Sequence, residues 1–506
     1  MQTELIKKER EQAWRVDLRK KLKNKERLEI ERSQMPQVSP KERILSQNVE
    51  VNSGLDELSA RLEASRCMDC ANPTCIDGCP VSISIPTFIK NIERGHFLDA
   101  AAVLKQTSAL PAVCGRVCPQ EKQCEAHCFY PLKLKKPAVA IGYLERFAAD
   151  YERTSGKAAV PECLPLNGHK VAAIGSGPAS LSFAGDMIKR GYEVTVFEAL
   201  HEIGGVLKYG IPEFRLPNAV VEAELKQLQQ SGVQFERNFI VGKTASFDDL
   251  RQEGFEAFFV ASGAGLPRFM GIPGENLNGI LSSNEYLTRV NLMHAFETQY
   301  DTPVLRGKCV AVVGGGNTAI DSVRTAKRLG AERAMIIYRR SREEMPAREE
   351  ELNHAAEEGV EFINLANPVA YFPDSKGRVN RMQVQRMKLG EPDDSGRRRP
   401  EPIEGALEQI DVDVVVVAIG VSPNPLIPHE VNGLKVSRWG TIEVDPESMQ
   451  SSVADIFAGG DIVRGGATVI LAMGDGRRAA AGMHIYLQKS YSGRSANDSS
   501  LMANYL

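Results

Sequence analysis

Residues 169–180 read HKVAAIGSGPAS, and residues 308–319 read KCVAVVGGGNTA. Each is a short apolar run that ends in a Gly-x-Gly turn and then opens a helix-forming stretch, the first strand–turn–helix step of a dinucleotide fold. The first continues as a helical pattern to Arg190 and a strand YEVTVFEA (192–199); the second continues to Leu329 and a strand AMIIYRR (334–340). Two such openings predict an α/β chain with two Rossmann-like domains. Later in the chain, DVDVVVVAIGV (411–421) has the unbroken β-branched run of a buried parallel strand, and IFAGGD (456–461) ends in a Gly-Gly-Asp turn before another helix. Both are expected to return to the first nucleotide domain, giving one domain over 168–300 and 411–492 and a second inserted over 301–410.

Working outward, the remaining chain divides at its prolines. Residues 1–46 form a charged helical extension, either a solvated helix on its own protein or an arm that docks a partner subunit. Residues 47–160 show short helical patterns broken by cysteines, 160–168 read as a linker, and 493–506 as a flexible tail. The length of 506 residues suits three or four domains. No apolar run approaches the roughly 18–20 residues of a membrane span. The start, MQTELIKKER, has no apolar signal region, so a reducing cytoplasm is the expected compartment. With a formal net charge of −3, no charge excess points to nucleic acid or acidic lipid.

Eight of the ten cysteines fall between 67 and 128, as Cys67-x2-Cys70-x4-Cys75-x3-Cys79-Pro80 and Cys114-x3-Cys118-Pro119-x5-Cys124-x3-Cys128. A reducing compartment disfavours disulfides, and zinc would take only tight pairs. Ferredoxin-type runs place three thiolates close together and lend a fourth, followed by Pro, to another cluster, and this segment does so twice. Two intertwined iron–sulfur sites are expected, with Cys67, Cys70 and Cys75 in one and Cys79 joining the other; spacing alone leaves the division of the second group open. Cys309 reads as packing in a strand.

At the first nucleotide site, Gly175, Gly177 and Ser180 carry the turn, and Ser180 stands where Gly or Ala is usual. Glu198 closes the next strand, where a carboxylate accepts from a ribose 2′-hydroxyl and repels a 2′-phosphate. Gly204, Gly205 and Asp461 suit a flavin such as FAD, which needs contacts beyond the first turn. The helix start near Ala467 and Thr468 could stabilise charge on the flavin. At the second site, Gly314, Gly316, Asn317, Thr318 and Ala319 form the turn, and the following strand ends in Arg339-Arg340, whose guanidinium forks suit the 2′-phosphate of NADP(H). The competing reading is a pair of surface arginines bonded to Glu343 or Glu344.

The stretches LPAVCGRVCPQEKQCEAHC (110–128), GGVLKYGIPEFRLP (204–217) and IFAGGDIVRGGATVILAMGDGRRAA (456–480) closely resemble the small (beta) subunit of NADPH-dependent glutamate synthase and its relatives, over about residues 47–490. Within that family CPVSISIPTFIKNIERG (79–95) looks more like the large subunit of the electron-bifurcating NADH-dependent ferredoxin:NADP+ oxidoreductase than like a dedicated glutamate synthase subunit. The resemblance implies an N-terminal helical domain with two [4Fe-4S] clusters, followed by FAD and NADPH domains. It implies Cys67, Cys70, Cys75 and Cys128 as ligands of one cluster. For the other it implies Cys79, Cys118, Cys124 and the non-cysteine ligand Glu145, leaving Cys114 outside although spacing would enlist it. The bland alternative for Glu145 is a solvated helix carboxylate. The activity implied is a hydride exchange with NADP(H) followed by single-electron transfer to a partner subunit, in a ferredoxin/NAD/NADP bifurcating complex or in a glutamate synthase. A conduit or structural subunit without NADPH turnover is the reading from another class.

Overall fold

The computed structural model describes residues 2–394 and 396–492, so the tail at 493–506 lies outside the described residues. Two five-stranded parallel sheets organise the chain. The first has the order Ile456–Ala458, Phe255–Val260, Lys170–Ile174, Glu193–Phe197, Gln234–Glu236. Its central strands are buried, and the helices Pro178–Lys189 and Val469–Ser492 pack together against it.

The second sheet has the order Ile280–Ser282, Val414–Val417, Cys309–Val313, Arg333–Tyr338, Glu361–Asn364. This corrects the expected domain boundaries. The VVVV run at 414–417 and the strand Ile280–Ser282 join the second sheet, and of the two late elements Ile456–Ala458 returns to the first. The two crossings between domains, Leu266–Pro267 and Val421–Ser422, pair antiparallel with each other. A run of four β-branched residues fits any parallel sheet; which one it joins is set by helices and crossings distant in sequence. A three-stranded antiparallel sheet, Ala366–Pro373, Val379–Pro392 and Arg398–Asp411, projects from the inserted domain.

Ahead of the sheets, the described residues from 53 to 169 form helices and turns without a strand. Ile85–Glu93 buries Ile85, Phe88, Ile89 and Ile92 at helical spacing, with Pro86 in its first turn where a missing N–H costs nothing. One apolar core runs from this domain into the first nucleotide domain, joining Leu104, Leu110 and Phe147 to Leu181, Phe183 and Met473.

The extension at 1–46 is helical over Gln2–Arg10, Ala13–Lys21, Asn24–Arg27 and Pro40–Arg43. The sequence reads as a solvated helix, but several of its charges are buried and paired within the chain. Arg15 pairs with Asp69 and Arg27 with Glu93, while Arg43 lies fully buried 2.8 Å from both Glu357 and Glu358 of the inserted domain. Burial would raise the Glu358 carboxyl, but Arg324 and Arg328 overcome it and hold it below the usual carboxylate range. Arg43→Ala should therefore cost about 1.5–3 kcal/mol, because Glu358 loses one of its three arginine partners and keeps Arg324 and Arg328. Urea unfolding followed by circular dichroism checks this: a midpoint equal to that of the unsubstituted chain would mean that the arm contributes nothing.

Candidate functional site

The nine expected ligand positions fall into two separate groups. Ionised Cys67, Cys70, Cys75 and Cys128 repel one another, and so do Cys79, Cys118, Cys124 and Glu145, with Cys114 among them, beside Cys118 and repelled by Glu145 and Cys79. The four thiols of the first set line one cavity together with Met68, Pro73, Ile89, Phe129 and Tyr130. Three of these four cysteines are half-buried, whereas Cys118, Cys124 and Glu145 of the second set are buried. The first set is therefore the outer one. The inner set lies against the first nucleotide domain: a Cβ on Gly474 would meet the Pro80 carbonyl at 2.9 Å, and the Cys114 thiol, beside Cys118, points at the Met473 sulfur at 3.4 Å.

The chemistry of these donors fits an iron–sulfur cluster. Burial pushes the Cys70 thiol up to about 12 and Cys79 up to about 11, and neighbouring thiolates add to both. Only a strongly cationic group would turn such thiols into ligands. Glu145 is no solvated helix carboxylate. It is buried on the helix Ile141–Ser155, its Oε1 has no hydrogen-bond partner, and burial with Glu224 nearby pushes it up to about 8. Among the described residues, no three His, Cys, Asp or Glu side chains close tightly enough for a single metal ion. Cys163 is exposed; Cys309 is half-buried and donates to the Asp411 carbonyl.

The first Gly-rich turn sits at the mouth of the first sheet. Gly175 has φ +93°, and a Cβ there would lie 2.6 Å from the Ala261 carbonyl, so only glycine serves. A Cβ on Gly177 would meet no atom within 4 Å, which leaves room over the N-terminus of Pro178–Lys189 for a pyrophosphate. Ser180 is fully buried, its hydroxyl without a partner. Glu198 accepts from the Ser176 amide and hydroxyl and from the Leu200 amide, and the Ser176 hydroxyl in turn accepts from Gly204 N–H. The acid thus ties Gly204 to the first turn through Ser176, a residue the sequence gave no reason to select. Asp461 accepts from the Ala467 amide, and Thr468 from Leu471 N–H at the start of the long helix. Asp475, also missed, is buried in that helix. It fixes the Gly-Gly turn through Gly460 N–H and binds Arg464 and Arg478. Its signal, an acid inside the apolar face of an AMGDG stretch, is visible only in retrospect.

At the second turn Gly314 has φ +144°, and a Cβ would come 2.3 Å from the Ala418 carbonyl, while Gly316 is open. Ala319 is buried, Thr318 exposed, and the Asn317 side-chain oxygen accepts from Arg348 N–H. The two arginines part company. Arg339 is exposed, with no hydrogen bond or ion pair among the described residues. Arg340 is buried, 2.6 Å from Asp393 and donating to the Arg398 carbonyl, so it holds the tip of the antiparallel hairpin. Neither pairs with Glu343 or Glu344; Arg398 takes Glu344 instead.

Comparison with known proteins agrees with this layout. Residues 45–157 match the family described as dihydropyrimidine dehydrogenase domain II, 4Fe-4S cluster, and residues 169–476 match the pyridine nucleotide-disulphide oxidoreductase family. The small chain of NADPH glutamate synthase from Azospirillum brasilense is 38% identical over 89% of this chain and 94% of its own. The beta subunit of an NADP(+)-dependent formate dehydrogenase from Moorella thermoacetica is 39% identical over 84% of this chain but 61% of its own. Among solved structures, FprA of Mycobacterium tuberculosis with NADPH has a TM-score of 0.55, at 19% identity over 66% of this chain and 87% of its own, a likeness of fold. Fold and site together define an NADP-dependent oxidoreductase built on FAD and 4Fe-4S chemistry. The chain belongs to the family of the glutamate synthase small subunit. No described helix is long and apolar enough to cross a membrane.

Proposed function

We propose that this chain is the NADP(H)-handling subunit of a larger electron-transfer assembly. In it Cys67, Cys70, Cys75 and Cys128 hold an outer [4Fe-4S] cluster, and Cys79, Cys118, Cys124 and Glu145 hold an inner one. FAD supplies two-electron exchange with NADP(H), and iron–sulfur clusters supply single-electron transfer. Gly175, Gly177 and Ser180 seat the FAD pyrophosphate, Glu198 meets its ribose, and Gly204, Gly205, Asp461 and Thr468 receive the remainder. Gly314, Gly316, Asn317, Thr318 and Ala319 seat NADP(H), with Arg339 on its 2′-phosphate and Arg340 fixing the hairpin beside it. Cys114 packs next to the inner set.

One observation carries this reading: Cys114, beside the inner set, touches Met473 on the helix Val469–Ser492, while three of the four outer cysteines are half-buried. That order leads away from the flavin domain toward another molecule. Glu145→Ala tests the inner set. The EPR signal of one cluster should change while the other persists, and an unaltered spectrum would return Glu145 to a structural role.

The assembly anticipated from sequence couples NADPH to ferredoxin and NAD+ by bifurcation. A glutamate-forming partner is the second reading, favoured because glutamate synthase small chains match over nearly their whole length. Anaerobic purification from the native host separates them. NADPH oxidation that requires ferredoxin and NAD+ supports the first, and a requirement for 2-oxoglutarate and glutamine supports the second. Full turnover of a small metabolite by this chain alone would overturn both.

A further inference from the structure

The stretch REEMPAREEE (342–351) holds five glutamates, and Arg348 sits among them. It pairs with Glu350 at 2.9 Å, but its guanidinium also leaves its own domain. Nη1 donates to the Arg116 carbonyl at 2.6 Å and Nη2 to Gln120 Oε1 at 3.2 Å, on the segment that carries Cys114 and Cys118. The side chain is buried, and its Nε donates no hydrogen bond. Lys122, on the same segment, returns the contact by donating to the Pro346 and Ala347 carbonyls.

Gln120 passes this grip inward. Its Oε1 faces Arg348, so its amide nitrogen is the end that donates to the Cys114 carbonyl at 3.2 Å. The same side chain lies against Gly142, where a Cβ would collide with it, in the first turn of the helix that carries Glu145. Among the charges near the Cys118 thiol, Cys114 and Glu145 oppose its ionisation and Arg348 favours it. The backbone of the same loop is fastened to the second nucleotide turn. Arg348 N–H donates to Asn317 Oδ1 at 3.0 Å, and Ala347 N–H to the Gly315 carbonyl at 3.3 Å. Asn317 opens the helix Asn317–Arg328, over whose N-terminus a pyrophosphate would rest.

We propose that Arg348 is a positioning residue that couples nucleotide on the second turn to the electron affinity of the inner set. The inference rests on the readings that the inner set holds a cluster and that this turn seats NADP(H). A buried cation stabilises the added electron of a reduced cluster. A pyrophosphate on the turn puts negative charge beside the Asn317–Arg348 link and competes for Asn317, so it offsets that stabilisation. By linkage, reduction of the inner set then weakens nucleotide binding by the same factor. Arginine bonds that only hold the domains together would show no such dependence.

The test is an EPR-monitored redox titration of the anaerobic holo chain, with and without 2′-phospho-ADP-ribose. This probe carries the pyrophosphate and the 2′-phosphate but no nicotinamide, so it cannot accept hydride. The inner signal is the one that Glu145→Ala alters. In the unsubstituted chain the probe should lower the inner set's electron affinity about tenfold, ~59 mV for one electron, and leave the outer signal in place. Arg348→Gln should lower that affinity without probe and shrink the probe's effect to under about twofold. A shift absent from the unsubstituted chain, or one that persists in Arg348→Gln as the direct field of the nucleotide would, overturns the coupling. If Arg348→Gln loses iron, Gln120→Met, which removes an acceptor and no charge, is read in its place; the probe's effect should shrink there too, and a full effect overturns the coupling. Iron content and calorimetric binding of the probe, measured on the unsubstituted sample, report separately on the proposed function. If both are normal and no shift appears, only the coupling falls; if either is absent, the function falls and the coupling with it.

Discussion

Cys75→Ser should remove about half of the iron from anaerobically purified protein, from about eight atoms per chain to about four, the arithmetic of two four-iron clusters. Cys75 belongs to the outer set, which shares no thiol with the inner one. A serine there replaces a soft thiolate by a hydroxyl that ionises far less readily, and one corner of the cluster is lost. The substitution leaves Cys79, Cys118, Cys124 and Glu145 unaltered, so the proposed inner cluster should keep its ligands. Cys309→Ser, in a strand of the other sheet, should leave the iron unchanged. Iron and acid-labile sulfide assays check this directly. Loss of all iron from Cys75→Ser would mean that the sets depend on each other, and zinc in place of iron in the unsubstituted chain would remove the iron–sulfur assignment.

Arg339→Ala should abolish discrimination between NADPH and NADH, a loss on the order of ten- to a hundredfold in the ratio of flavin reduction rates at low nucleotide. One guanidinium on a phosphate contributes charge-assisted hydrogen bonds of about 1.5–3 kcal/mol. The two arginines should behave differently because their surroundings do. Arg339 is unengaged, so its removal costs contacts to the nucleotide and little else. Arg340 is spent on Asp393 and the Arg398 carbonyl, so Arg340→Ala should loosen the hairpin and weaken NADPH indirectly. Arg340→Lys restores only a point charge at a site that needs two donors. Stopped-flow bleaching with each nucleotide separates the roles: equal loss of preference in Arg339→Ala and Arg340→Ala would show that both touch the phosphate. Glu198→Ala, in the other site, should weaken FAD retention without altering the preference.

Much of this was legible in the residues. The two Gly-rich turns declared both nucleotide domains because a strand that turns tightly into a helix needs glycine where backbone meets backbone, as Gly175 meets Ala261 and Gly314 meets Ala418. The cysteine spacing declared iron–sulfur chemistry because thiolates around a cluster must come in close runs. Such constraints act over a few residues and leave a local pattern. What the tertiary structure decided lies between distant segments. It put Val414–Val417 in the second sheet, since a buried β-branched run carries no mark of its neighbours. It separated Arg339 from Arg340, adjacent in sequence but facing solvent and Asp393 respectively. It brought Cys128 to Cys67 and Glu145 to Cys79, and it recruited Ser176 and Asp475 to turns whose sequences do not mention them. The physical reason is the same throughout: backbone conformation is a local property that a residue can announce, whereas a side chain's partner depends on which element the rest of the fold delivers to it.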